Sequence, residues 1–494
     1  MDQFLPVASG VERFHLRILR QSMPNSPLPS RRFLLRRSAC GFGMLGLSSM
    51  LKAAEDIDPL APKKPHFPAK AKRIIFLFMH GGPSHLDTFD PKPRLIKDHG
   101  KPLPFKRPLT FAEGSTGNLL KSPWEFKKYG QSGIEISDLF PNVAKHADDL
   151  CIIRSMVGDS VAHGGATLQL HTGSNTFTRP SMGSWVIYGL GTENQNLPAY
   201  ITLKPGLSHG GAKKWSSGFL PASYQGTAVG LGGMPFEKIS EPIENLKNQG
   251  LTAEQQRYEL DMIQKMNRTS TARWQNDSEL EARIQSFELA FRMQTVAPEA
   301  FDISKESAAT RTLYGLDAPE TSDFGWQCLM ARRLAQRNVR FIQINHEYGP
   351  GNEVGWDAHN ELIRLHTRTA LQVDQPIAAL LTDLKAHGLM EDTLVVWGGE
   401  FGRTPIAEAG DGRDHNPYGY SMWMAGAGVK KGFVYGATDE FGYYAVEDRM
   451  HIHDMHATML HLLGLNHLNL TFDYGGRPFR LTDVAGNVAT KLLA

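Results

Sequence analysis

An unbroken apolar run, Ile74-Ile75-Phe76-Leu77-Phe78-Met79, ends abruptly in His80-Gly81-Gly82-Pro83. With no polar alternation the run has no face to offer water, so it reads as a strand buried on both faces of a parallel sheet. The Gly-Gly-Pro exit predicts a sharp turn at the carboxyl edge of that strand, where open α/β sheets place their ligands. His80, Ser84, His85 and Asp87 follow directly and are the first candidate functional residues.

At 494 residues the chain is long enough for one large α/β domain with insertions, or for two to three ordinary domains. The net charge of +2 includes Arg31, Arg32, Arg36 and Arg37 near the amino terminus, so the remainder is close to neutral and carries no nucleic-acid footprint. Three cysteines, of which Cys40 falls in the leader, leave Cys151 and Cys328: one disulfide at most, and no Cys-based zinc cluster. The 19 histidines are the better place to look for metal ligands.

Ser30-Arg31-Arg32-Phe33-Leu34-Leu35-Arg36 resembles the twin-arginine export signal, and Ala39–Leu51 supplies a short apolar stretch too short for a stable membrane anchor. We therefore expect residues 1–54 to be a signal peptide cut near Ala53 or Ala54, and residues 55–72 to be a Pro/Lys-rich linker. Residues 73–494 are expected to form the folded domain, periplasmic or extracellular. The export machinery is then a partner, and export of the folded chain fits a metal site assembled beforehand.

Along the domain the pattern predicts a helix around Leu139–Asp149, a strand Leu150–Arg154, and a dense loop Ser155–Gly165 leading into a helix Ala166–His171 closed by Thr172-Gly173. A strand follows at Pro198–Leu203. Gly206–Gly233, with Trp215, Phe219 and Tyr224, reads as a loop-built wall or lid. Ile239–Gln294 reads as a helical insertion whose stripe Leu280, Ile284, Phe287 and Phe291 makes core contact. The α/β rhythm then returns: a helix to Arg337, strand Val339–Asn345, a glycine-rich loop to Gly355–Asn360, helix Glu361–His387 and strand Thr393–Trp397. Gly398–Pro405 leaves that strand, a loop carries Asp411–Asn416 into strand Tyr420–Ala425, and the last helix is Asp454–Leu463. Four strand exits thus each present His, Asp or Glu.

The motifs MHGGPSHLDTFDPKP, GWDAHN, GGEFGRTP, GRDHNPYGYSMWMAGAGVKKG and HDMHATMLHLLGL resemble those of the exported family called domain of unknown function 1501, a sulfatase-like branch of the alkaline phosphatase superfamily. That resemblance covers essentially the whole chain after the leader. It implies a three-layer α/β/α sandwich with a mostly parallel sheet, a divalent metal (zinc, manganese, iron or calcium), and sulfate or phosphate esters, on small molecules or polysaccharides, as substrates.

Residue by residue, the resemblance puts His80 where the superfamily has a metal-binding Asp. It puts His163 at the nucleophile position, counted back from Thr172-Gly173. Asp357 and His359 match an Asp-spacer-His metal pair, Glu400-Phe401-Gly402 matches an Asp-His-Gly motif, and His415 matches the last metal histidine. The usual covalent route therefore lacks its nucleophile. Imidazole and carboxylate still make a ligand set for divalent ions, and a bound ion can activate water directly. Asp87, Asp414 and His85 are candidate further ligands or groups orienting an imidazole, and Arg403 or Arg413 candidate holders of an anionic group. His346, His366, His451, His453 and His456 are expected to be structural. The competing expectation is a catalytically silent relative that binds a glycan or partner in the same pocket.

Overall fold

Arg73–Met79 forms strand β1 with every residue buried. The computed structural model describes residues 58–111, 116–234, 236, 243, 250–271, 278–347 and 355–494. The expected signal segment, its cleavage point and the glycine-rich part of the 346–360 loop lie outside the described residues. In chain order the main elements are β1 (Arg73–Met79), β2 (Thr116–Leu119), β3 (Leu150–Val157), α1 (His163–Thr172), α2 (Met182–Leu190), β4 (Tyr200–Leu203), β5 (Thr227–Val229), α3 (Ala253–Thr271), α4 (Ser278–Phe301) and α5 (Ser322–Gln336). They continue with β6 (Phe341–His346), α6 (Leu362–Ala386), β7 (Thr393–Gly398), β8 (Gly402–Glu408), β9 (Gly412–Asn416), β10 (Tyr420–Gly426), β11 (Phe433–Tyr435), β12 (Met450–His451) and α7 (Ile452–Leu462).

The central sheet runs β11-β3-β10-β7-β1-β6-β4-β5, with β12 also on β3. β1 pairs in parallel with β6 on one side and β7 on the other, which is why its sequence has no polar face. β10 alone among these strands runs antiparallel, to both β3 and β7. Successive β1 side chains point to opposite faces. Ile75, Leu77 and Met79 pack in a core with α5 and α6, and Ile74, Phe76 and Phe78 in a second core with α2 and α7. The fold is thus the expected three-layer α/β/α sandwich. A fully buried side chain of this size contributes roughly 1.5–3 kcal/mol, so six of them fix β1 tightly, and His80 inherits that rigidity.

The expected loop between β7 and β10 is instead an antiparallel hairpin, β8 with β9, extended by β2 into a small second sheet. Its inward residues Arg403, Arg413, Asp414, His415 and Asn416 are buried but polar, so no apolar alternation announces the strands. The turn is made by Ala409 and Gly410, both at positive φ. The expected helix at Leu139–Asp149 is a 3₁₀ segment, Val143–Asp149. In the expected insertion, α3 and α4 are described; Phe287 is solvent-exposed, whereas Met293, Ala297, Ala300 and Phe301 at the end of α4 reach the core. The side chains of Leu280 and Ile284 lie outside the described residues; among the described ones the core contact of α4 is made by its last turns rather than by Phe287.

Within Gly206–Gly233, Trp215 and Tyr224 are core residues rather than a loose wall, and Thr227–Val229 adds β5 to the sheet edge. Cys151 and Cys328 are free and buried in the two different cores, on opposite faces of the sheet. Pro59–Ala494 forms one compact unit. Within it the Pro/Lys-rich stretch is bonded to the domain surface: Lys63 N–H donates to Leu190 O, and Lys70 N–H to Leu462 O.

Candidate metal centre

The exit turn of β1 needs two glycines. Gly81 and Gly82 both have positive φ, and a Cβ on Gly82 would stand 2.6 Å from the Phe401 ring. The turn aims the Gly81 N–H at Glu400 Oε1 (2.9 Å), just past the end of β7. His163 is the first residue of α1, on the connection from β3. Asp357 and His359 precede α6, and His415 lies on β9. The 357–359 segment is docked on the hairpin by Arg413 N–H donating to Ala358 O at 2.9 Å.

A glycine makes that docking possible. A Cβ on Gly412 would fall 1.9 Å from His359 O. Gly412→Ala must therefore push the Asp357–His359 segment off the hairpin; we expect a loss of roughly 1–3 kcal/mol of stability by overpacking, together with weaker metal binding, read by thermal melting and metal titration.

Asp357 Oδ1 is the point of convergence. It lies 3.1 Å from His163 Nε2, 2.9 Å from His359 Nε2, 3.3 Å from His415 Nε2 and 2.6 Å from Arg403 Nη2. The other ring nitrogens identify the tautomers. His359 Nδ1 faces Glu408 Oε2 at 2.6 Å, and His415 Nδ1 faces the Val161 carbonyl oxygen at 2.6 Å. Both partners only accept, so Nδ1 is the protonated nitrogen and Nε2 carries the lone pair. The two Nε2 atoms nevertheless stand 2.9 Å apart, with a carboxylate oxygen beside them. Three acceptors this close require a cation between them, a proton or a metal ion.

His163 is held between two carboxylates, with Nδ1 2.6 Å from Glu400 Oε1 and Nε2 facing Asp357. Burial alone would lower its pKa, but the bonds to Asp357 and Glu400 outweigh burial and raise it to about 9. Burial raises the Glu400 carboxyl, yet His163 overrides that and brings it down to about 2. His359 is likewise raised despite burial, through Asp357. His415 is lowered to about 4, by burial first. In the metal-free chain the surrounding carboxylates thus favour a proton on His163, and Asp357 pulls the same way on His359. Donor separations of 2.9–3.3 Å match ligands placed about 2.0–2.2 Å from one zinc-like ion, so the residues present fit the metal that the family resemblance implies.

The seven residues singled out from the sequence stand together here: His80, His163, Asp357, His359, Glu400, Arg403 and His415. Two of the expected roles change. Arg403 is fully buried and donates to Gly82 O (3.0 Å), Arg413 O (3.1 Å), Gly81 O and Asp357, so the anion it holds is Asp357 rather than a substrate group. Arg413 forms a buried two-point ion pair with Asp87 (2.8 and 3.2 Å), which occupies both residues. His85 bonds Gly442 O at the back of the hairpin. Asp414 lies with Glu408 behind His359.

Three participants were not anticipated. Glu408 orients His359, and the Phe111 ring stacks on His415 at 5.0 Å while being largely exposed, a wall at the mouth of the site. His209 places Nδ1 2.8 Å from His80 Nε2. A signal for it existed: His-Gly-Gly occurs at 80–82, 163–165 and 209–211, and the three histidines meet.

A family model matches residues 71–493, nearly all of the described chain. The chain belongs to the family described as Protein of unknown function (DUF1501). No curated protein matches. Among solved structures similar to this family member is Ps i-CgsB in complex with k-i-k-neocarrahexaose, at 11% identity, covering 84% of this chain and 75% of that one, with a TM-score of 0.35. The PsFucS1 sulfatase from Pseudoalteromonas sp. is similar at 13% identity, 82% and 68% coverage and TM-score 0.33. Alkaline phosphatase from the Antarctic bacterium TAB5 is similar at 12% identity, 81% and 99% coverage and TM-score 0.33.

Proposed function

We propose that this chain is an exported, metal-dependent hydrolase of sulfate or phosphate esters, polysaccharide esters among them. The observation that carries the reading is the meeting of three imidazole nitrogens on Asp357 Oδ1 within 2.9–3.3 Å, two of them locked in the tautomer that presents a lone pair. A divalent ion held there supplies the acidified water and the polarised ester oxygen that such hydrolysis needs. This family member has no Ser, Thr or Cys at position 163, so the reading takes water as the nucleophile.

The protein's own groups have definable tasks. Glu408 and the Val161 carbonyl hold the two imidazoles in orientation, as partners behind metal ligands do. Arg403 keeps Asp357 ionised and aimed, its charge and hydrogen bond acting against burial. The Phe401 and Phe111 rings stack on His415 and limit water on that side. Asp357 and His359, about a quarter exposed, mark the side from which a substrate enters. In this reading the twin-arginine leader delivers the domain already folded with its ion.

The test is elemental analysis of the purified protein for zinc, manganese, iron and calcium, with turnover of p-nitrophenyl sulfate and phosphate before and after chelation. We expect a stoichiometric ion and turnover that chelation abolishes. Absence of any stoichiometric metal sinks the reading; metal without turnover of sulfated or phosphorylated esters or glycans favours the silent binding relative.

A further inference from the structure

We infer that the chain carries a second binding surface, remote from the metal centre, on which an anionic polysaccharide lays its sugar rings against Tyr474 and Phe177 and its sulfate or carboxylate groups against Arg179 and Arg477. The choice of a polysaccharide rests on the reading of the chain as an exported ester hydrolase; the surface is read from its own residues.

Phe472–Tyr474 and Arg477–Phe479 pair as an antiparallel hairpin, Phe472 opposite Phe479 and Tyr474 opposite Arg477. Gly475 and Gly476 between them are both at positive φ, as a two-residue turn of this kind requires. Side chains alternate between the faces of a strand, so Phe472, Tyr474, Arg477 and Phe479 share one face and Asp473 lies on the other. The Phe219 ring is the domain's side of the contact, stacked on Phe472 at 6.0 Å and on Tyr474 at 4.9 Å. Tyr474 covers one of its faces that way yet is 55% exposed, and Phe177 nearby is 66% exposed. A hairpin that only sealed the domain would turn such rings inward. Neighbouring rings left in water mark a binding surface, and the electron-rich face of each suits the C–H side of a sugar ring.

The charges are the second mark. The Arg179 guanidinium lies over the Phe479 ring at 4.8 Å and the Phe177 ring at 5.9 Å, and Arg477 lies over Phe479 at 4.8 Å. Arg179 Nη1 is buried and has no hydrogen-bond partner among the described residues, and Nη2 stands 3.7 Å from Asp483, beyond hydrogen-bonding reach. Asp483 is already engaged by Arg477 at 2.5 Å, while its carbonyl oxygen accepts from Arg480. Three guanidiniums thus gather round one carboxylate, and Arg179 keeps donors for an incoming anion, which a guanidinium can grip at two points. The rings hold the guanidiniums in place beforehand, so little freedom is lost on binding. This excess of charge is too small for nucleic acid, whose dense backbone calls for a stripe of Lys and Arg. A polysaccharide charged on some of its rings offers sugar faces and spaced anions together.

The surface sits one helix length from the metal centre. His163 opens α1, and at the other end the Gly173 backbone abuts Leu481 O, just past the hairpin, leaving no room for a Cβ. Ten residues of helix span about 15 Å, too far for one sugar ring to touch both places. The surface therefore holds a long chain while the metal centre meets another part of it, which raises the local concentration of ester groups.

Affinity electrophoresis of the full chain as purified, in native gels carrying dextran sulfate, neutral dextran or polyuridylic acid, tests this. Dextran sulfate is expected to retard the wild type, neutral dextran not at all, and polyuridylic acid less than dextran sulfate. Tyr474→Ala, at an exposed position and without change of charge, should weaken dextran sulfate binding by about fivefold or more. Arg179→Gln should weaken it at least as much; if a melting curve shows that it does not fold, Tyr474→Ala decides alone. Phe287→Ala, an exposed ring on α4, and Asp357→Asn, at the metal centre, should be retarded like wild type. No retardation of wild type, wild-type affinity in Tyr474→Ala or in folded Arg179→Gln, loss of binding in Asp357→Asn, or equal retardation by neutral dextran each overturns the inference. Stronger retardation by polyuridylic acid than by dextran sulfate overturns it in favour of nucleic acid. The readout is binding, so absence of metal or of turnover sinks the hydrolase reading and leaves this result standing.

Discussion

Asp357→Asn is expected to lose metal and ester turnover together while remaining folded. The substitution preserves shape and removes the one negative charge on which His163 Nε2, His359 Nε2, His415 Nε2 and Arg403 Nη2 converge. An amide oxygen still accepts a hydrogen bond from Arg403, so the fold loses charge compensation rather than a contact. Breaking a fully buried pair costs about 3–5 kcal/mol; Asp357 is about a quarter exposed, so about 1–3 kcal/mol is the larger expectation, within the margin of a domain this size. The metal loses an anionic ligand and faces an uncompensated guanidinium, so affinity should fall by at least 100-fold. Elemental analysis, p-nitrophenyl ester turnover and a melting curve on the same preparation check this. Turnover persisting after the metal is gone would break the link between this centre and hydrolysis.

Much of the fold is legible in the residues because the central strands are buried on both faces. β1 after Arg73 and β7 after Thr393 are unbroken apolar runs, and such runs need no partner information to be recognised. The β8–β9 hairpin is illegible for the opposite reason. Its buried side is made of Arg403, Arg413, Asp414 and His415, stabilised by one another and by backbone carbonyls, and a buried polar network has no periodic signature.

The same network explains the misreading of the arginines. A guanidinium near acidic loops looks like an anion clamp, but in the fold Gly81 and Gly82 carbonyls take Arg403 while Thr404 O and Asp87 take Arg413. The histidines and carboxylates at strand exits were legible because parallel strands carry their carboxyl ends to one edge. His209 was hidden in a stretch without periodicity, where the repeated His-Gly-Gly was the available clue.

Acid is expected to unfold the metal-free protein between about pH 4 and 5.5, well above where carboxylate titration alone would act. Four histidines outside the proposed ligand set are buried and held neutral. His171 donates to Thr167 O and accepts from Gln343; His346 accepts from Trp356; His366 accepts from Ser84 N–H; His456 donates to Leu170 O. Burial lowers their pKa values to about 3, about 4, about 3 and about 3 respectively. Because each folded pKa lies below the unfolded value of 6.5, the stability they contribute is complete above 6.5 and drains away as pH falls toward the folded value. One proton difference is worth about 1.4 kcal/mol per pH unit, so four drain roughly 5 kcal/mol per unit, against a total of about 5–15 kcal/mol.

Circular dichroism against pH in chelating buffer should therefore show a steep transition with uptake of several protons. His456→Gln, which keeps a donor for Leu170 O without a basic site, should move the midpoint down by a few tenths of a pH unit. His366 ties this to function: its Nε2 accepts the Ser84 N–H at 3.2 Å in the turn that carries His80, so protonating it loosens the metal centre before the sheet is lost. Metal release on acidification should accordingly precede the change in helix signal. A native spectrum persisting at pH 3.5 would mean that these imidazoles are charged in the fold.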